Sequence, residues 1–201
     1  MLALYQDLPV HIEYRGRVYP LELAFDRVLA CLDLQRDPAV PDEKRLLWVA
    51  QKLGLPVDKL SAQDLAVMVE TVFREYVWFQ YRKAPGGGSA VKTFDFQLDA
   101  DLIYSSFMQA YGIDLIEQQG KLHWWKFYSL FLGLPSGTKM REVMSIRARE
   151  IPAPTKHNQK EIRRLRELKQ FYALPGVDGG EGYQTGLENL WNALEQQVVK
   201  K

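Results

Sequence analysis

The groups in this chain that could do chemistry are few and scattered. His123 stands before Trp124 and Trp125, with Asp114 and Glu117 a few positions upstream. An imidazole and two carboxylates are metal-ligand types, but a metal site needs further ligands, and neither a His-x-x-x-His pair nor a cysteine partner is present. His11 and His157 lie in different contexts, so His123 reads as a hydrogen-bonded histidine at the rim of the tryptophans. Nucleophiles offer no more. Cys31 and Ser105 have no base at a recognisable spacing. Cys31, the lone cysteine, sits in an apolar helical stretch and reads as a buried thiol without an internal disulfide partner. The run GGGSAVKT over 86–93 looks like a phosphate-binding loop, but Val91 instead of glycine precedes Lys92, and the segment after it reads as extended, not helical. It is a linker. No catalytic, cofactor-binding or metal-binding residue is assigned, and no cofactor is expected.

Two stretches are candidates for binding macromolecules instead. The segment 156–169 carries six basic residues, Lys156, Lys160, Arg163, Arg164, Arg166 and Lys169, which could follow a phosphate backbone. Its apolar stripe of Ile162, Leu165, Leu168 and Tyr172 makes a solvated helix face the plainer reading. Near the end of the chain, a short helix over about 184–198 carries Leu187, Leu190, Trp191 and Leu194 on one side, after a Gly-rich linker at 175–182. That stripe either folds back onto the core or lies in a groove of another chain. It is the candidate partner-binding surface.

Composition narrows the class. The chain has 201 residues, 47% apolar and 25% charged, which suits a globular domain or two small lobes. Twenty-six basic residues against 25 acidic ones leave a net charge of +1, so no long-range field draws it to nucleic acid or an anionic membrane. No apolar run approaches the roughly 20 residues that span a bilayer. The opening MLALYQDLPV has no basic region and carries Asp7, unlike a signal peptide. A soluble protein of a reducing cytoplasm is expected.

The elements that must position these groups are mostly helical. VHIEY and RVYPL alternate apolar and polar residues around Arg15 and Gly16, predicting a small hairpin. Helical spacing follows at Phe25, Val28, Leu29 and Leu32, then at Leu46, Leu47, Val49, Ala50 and Leu53. Ser61 with Asp64 resembles a capping box opening a helix that runs to about 81. Residues 93–98 read as extended. Asp99 is then the expected N-cap of a helix bearing Ile103, Phe107 and Tyr111. A helix over 122–132, apolar on nearly every face, is expected to be the buried element of the protein. A further helix bears Met140, Val143, Met144 and Arg147. The predicted structural core is Phe107, Tyr111, Trp124, Trp125, Phe127 and Phe131. The fold class is mainly α, a helical bundle-like core around a buried aromatic helix with an N-terminal β-hairpin. The domains read as 1–83, hairpin plus helices; 84–90, Gly-rich linker; 91–175, central helical core; and 176–201, linker and amphipathic helix.

The run from Phe94, Asp95 and Phe96 through Asp99, Asp101, Ile103, Tyr104 and Phe107, then Tyr111 to Asp114, LHWWKF at 122–127, Gly133, Leu134, Pro135 and the Arg147 helix resembles a phage protein family. It is the gene-product-fifteen family of siphophages and prophages, encoded in the tail module near the tape-measure protein. Gly16 to Pro20 before Phe25, and KQFYALP at 169–175, fit as well, so the resemblance covers about 8–175. It implies a tail assembly protein that acts by protein–protein binding, a chaperone for the tape-measure protein. The implied partners are the tape-measure protein or another tail protein, with self-association expected and no membrane or nucleic-acid partner. A structural tail component, or a nucleic-acid-binding accessory protein using 156–169, are the alternatives. The implied location is the bacterial host cytoplasm or the virion, and no enzymatic residue is carried over.

Overall fold

The structure, a computed structural model, describes residues 4–77 and 92–175. Its contacts divide the chain into two compact units. Within the described residues, 4–77 and 116–132 form the first, and 92–115 and 133–175 the second. The aromatic run 94–131, which reads as one core in the sequence, is thus divided between them. The Gly-rich run 84–90 and the stripe Leu187, Leu190, Trp191 and Leu194 lie outside the described residues.

The first unit opens with strands β1 (His11–Tyr14) and β2 (Arg17–Pro20), paired antiparallel with Ile12 opposite Tyr19. Arg15 and Gly16 both take positive φ, the backbone that a two-residue hairpin turn demands. Helices α1 (Phe25–Arg36), α2 (Asp42–Lys52) and α3 (Ala62–Val72) follow, and a π-helical turn, Phe73–Val77, continues α3. Residues 78–81, the expected end of that helix, lie outside the described residues. The Ser61 hydroxyl accepts the Asp64 amide at 3.1 Å and so caps α3, as its spacing predicts. Arg45 fastens the α1–α2 connection by donating to the carbonyls of Leu34, Asp37 and Val40. At the end of α2, Gly54 has φ +79°, a conformation that favours glycine, and a Cβ there would stand 2.8 Å from Glu22 Cγ and displace that side chain. Helix α5 (Trp124–Leu132) completes the unit.

The second unit contains α4 (Ala100–Tyr111), α6 (Lys139–Ala148) and α7 (Gln159–Phe171). Gly112, at φ +64°, ends α4 by returning its amide to the Met108 carbonyl. Phe107, Met140 and Val143 are fully enclosed, while Tyr111 is half-buried. The Ser106 hydroxyl of α4 accepts the Met140 amide at 3.0 Å, so one helix caps the first turn of another.

Residues 92–98 are not a strand. The Asp95 carboxylate accepts the amides of Gln97 and Leu98, and the Asp99 carboxylate accepts the Asp95 amide, which folds the segment into a turn. Helix α5 is also narrower than its composition suggests. Trp124, Phe127 and Phe131 are buried along one stripe, but of the stripe beside it only Trp125 is; Tyr128 is half-buried and Leu132 is 44% exposed. A nine-residue helix has one side to pack, and its last turn here faces outward at Leu132.

Candidate functional site

The first candidate is the tryptophan–histidine cluster of the first unit. Here α5 begins against α1 through a reciprocal pair of backbone bonds. Phe25 donates its amide to the Leu122 carbonyl at 2.9 Å, and Trp124 donates to Leu23 at 2.7 Å. Each helix thereby satisfies an orphan first-turn amide of the other. His123 supplies the remaining cap. Its Nδ1 accepts the Trp125 amide at 3.1 Å, and its Nε2–H donates to the Pro9 carbonyl at 3.0 Å. Both ring nitrogens are engaged, which defines a neutral imidazole. Burial holds its pKa below the ordinary histidine value, Lys126 adds to that shift, and the Pro9 bond opposes it.

The two indoles act as donors rather than as a platform. Trp124 Nε1–H reaches the Val77 carbonyl at 3.1 Å and Trp125 Nε1–H the Tyr76 carbonyl at 2.6 Å, holding the π turn against α5. Phe127 stacks between Phe25, at 4.7 Å between centroids, and Trp124, at 5.7 Å.

The nucleophile candidates are equally committed. Cys31 is fully buried with its thiol on the Val49 carbonyl, and burial pushes its pKa up to about 12, so it carries no thiolate at neutral pH. The Ser105 hydroxyl bonds back to the Leu102 carbonyl of its own helix. Asp114 accepts the Tyr104 hydroxyl at 3.1 Å. Among the described residues no group of three or more His, Cys, Asp and Glu side chains is placed to hold a metal ion, and no helix is long and apolar enough to cross a membrane.

The second unit holds a buried ion pair that the sequence reading does not anticipate. Arg147, 8% exposed, donates through both terminal nitrogens to the Asp99 carboxylate, at 2.6 and 2.8 Å. Its remaining donors reach the Tyr172 carbonyl at 2.7 Å and the Thr93 carbonyl at 3.0 Å. Lys169 donates to the Arg147 carbonyl and Lys92 to Asp95. The guanidinium thus joins the 92–99 turn, α4, α6 and the end of α7. Asp99 precedes α4 as expected, but its side chain makes no cap bond; the arginine holds it instead. The signal was present: Met140, Val143 and Arg147 share one helical stripe, so a charge falls on the apolar face.

The third candidate is concave. A groove of about 560 Å³ runs between α6 and α7, with Arg141, Ser145 and Arg149 along one wall and Glu161, Arg164 and Leu168 along the other. The floor includes Ile146 and Leu165. Of the six basic residues of 156–169, Arg163 pairs with Glu167, Lys169 serves the Arg147 network and only Arg164 lines the groove.

A mainly helical protein emerges, with a small hairpin and two compact units, each with its own internal bonds among chemistry-capable side chains. The chain belongs to the Bacteriophage Gp15 protein family, whose model matches residues 4–174. No curated protein and no solved structure matches it.

Proposed function

We propose that this chain is a phage tail-assembly protein that works by gripping other polypeptides, chaperoning the tape-measure protein in the host cytoplasm, and not by catalysis. The observation that carries this reading is the fate of Cys31, Ser105 and His123. Cys31 and His123 are bound into the packing of their unit, and Ser105, exposed, bonds only to a carbonyl of its own helix, which supports a role played through binding surfaces. Membership of a phage family supports the setting. A tape measure is a long helical protein whose apolar stripes are exposed until the tail tube covers them, and such stripes aggregate unless shielded.

Co-expression with the neighbouring tape-measure protein tests this. The expected result is a larger soluble fraction of that protein and a co-purifying complex; no complex at micromolar concentration would overturn the reading. Leu190→Asp with Trp191→Asp is expected to weaken the complex, and unchanged affinity would remove that stripe from the interface. Mass spectrometry of purified particles distinguishes a chaperone, which leaves the finished tail, from a structural subunit, which stays.

A further inference from the structure

The groove between α6 and α7 carries charge that its own unit does not use. Arg141, Arg149 and Arg164 are exposed and make no hydrogen bond or ion pair among the described residues. Glu142, also in the lining, is paired with Lys139 at 3.0 Å. Three free guanidiniums therefore face one free carboxylate, Glu161. Arg141, Ser145 and Arg149 recur every four residues, so the two arginines stand about 12 Å apart along the α6 axis at 1.5 Å per residue. Half-buried Leu168 continues the apolar floor, and one turn further Phe171 is 78% exposed at the end of α7.

We propose that this groove docks an acidic amphipathic helix of the assembly partner, one carrying carboxylates two turns apart with apolar residues between them. The proposal rests on the tail-assembly reading and adds to it the site and the partner's chemistry. A guanidinium presents a planar fork of donors that matches a carboxylate, and two forks at that separation reach carboxylates at i and i+7 of a facing helix, about 10.5 Å apart, through their long side chains. The apolar residues between them settle over Ile146, Leu165 and Leu168, which is how a helix seats in a groove. The lining disfavours nucleic acid. Glu161 and Glu142 would face a continuous phosphate backbone with like charge, whereas a polypeptide can meet them with its own lysines.

The test uses the full chain and a fluorescein-labelled helical peptide with glutamates two turns apart flanking leucines. The control peptide has those glutamates replaced by lysine, and a short DNA duplex is the third probe. Anisotropy is expected to show the glutamate peptide binding at least about tenfold more tightly than the lysine peptide. Arg141→Glu combined with Arg149→Glu should reverse that order while leaving the unfolding midpoint in place. Equal affinity for the two peptides, or duplex bound in preference to both, would overturn the proposal. So would binding that appears only after residues 176–201 are removed, since the chain's own acidic tail would then be the occupant. The two readings fail separately. A tape-measure complex that survives the double substitution removes the groove and keeps tail assembly. Tight glutamate-peptide binding without any tape-measure complex does the reverse.

Discussion

The two units solve the same problem with different chemistry. In the first, the joints are aromatic: Phe25 and Phe127 stack, and the two indoles reach the carbonyls of Tyr76 and Val77. In the second, the joint is ionic: Arg147 and Asp99 are both enclosed and bind three separate segments. The contrast bears on how each unit fails. Aromatic burial is non-directional and stabilises in proportion to area, at about 25 cal/mol per Å². A buried ion pair adds little net stability over apolar residues of the same shape, but losing one partner strands a charge. The first unit should respond to lost volume and the second to lost pairing.

The largest effect is expected from Trp124→Ala. It removes a buried indole and orphans the Val77 carbonyl, and should cost about 4 kcal/mol. The described tryptophans, Trp48, Trp124 and Trp125, all lie in the first unit, so denaturant unfolding followed by tryptophan fluorescence in a Trp78→Phe, Trp191→Phe background reports that unit. A loss near zero would mean that the aromatic joint does not hold that unit.

Next comes Asp99→Ala, expected to cost about 3 kcal/mol by leaving the Arg147 charge enclosed and unpaired. Hydrogen exchange read over α4, α6 and α7 should show the loss there. Asp99→Leu with Arg147→Met should cost less than Asp99→Ala alone. If the double variant is the worse one, the pair contributes net stability and the contrast with the first unit narrows.

The smallest effect concerns His123. Its folded pKa is lowered, so the unfolded chain takes up the proton first and folding loses free energy as the ring titrates. The His123 contribution is fully present above about pH 6.5, the ordinary histidine value, and declines as pH falls through it toward the folded value. Protonation at Nδ1 also removes the acceptor of the Trp125 amide. The fluorescence midpoint should therefore fall between pH 7.5 and 5.5 in the wild type and vary less in His123→Gln. Parallel pH profiles would show that the imidazole cap is not titrating.

Much of this was legible from local pattern. Period-two alternation around Arg15 and Gly16 marks the hairpin, and 3.6-residue spacing marks α1 to α7 because an element with one buried face must repeat at its own period. Ser61 declares its cap in sequence because donor and acceptor lie three residues apart. The family resemblance was legible too, and the family match covers nearly the same span, 4–174. The expectation of one core over 94–131 was not met, nor was a fully enclosed α5.

What composition and spacing determined by themselves is the inventory: mainly helical elements, an aromatic α5, and which side of each helix seeks burial. Only the tertiary structure decided which elements share a unit, that Asp99 answers Arg147 and not its own helix, and that His123 caps α5. Those pairings join residues far apart in the chain, such as Asp99 and Arg147 or Pro9 and His123. A charge or ring nitrogen carries no mark of its partner until folding excludes water and forces every buried polar group to find one.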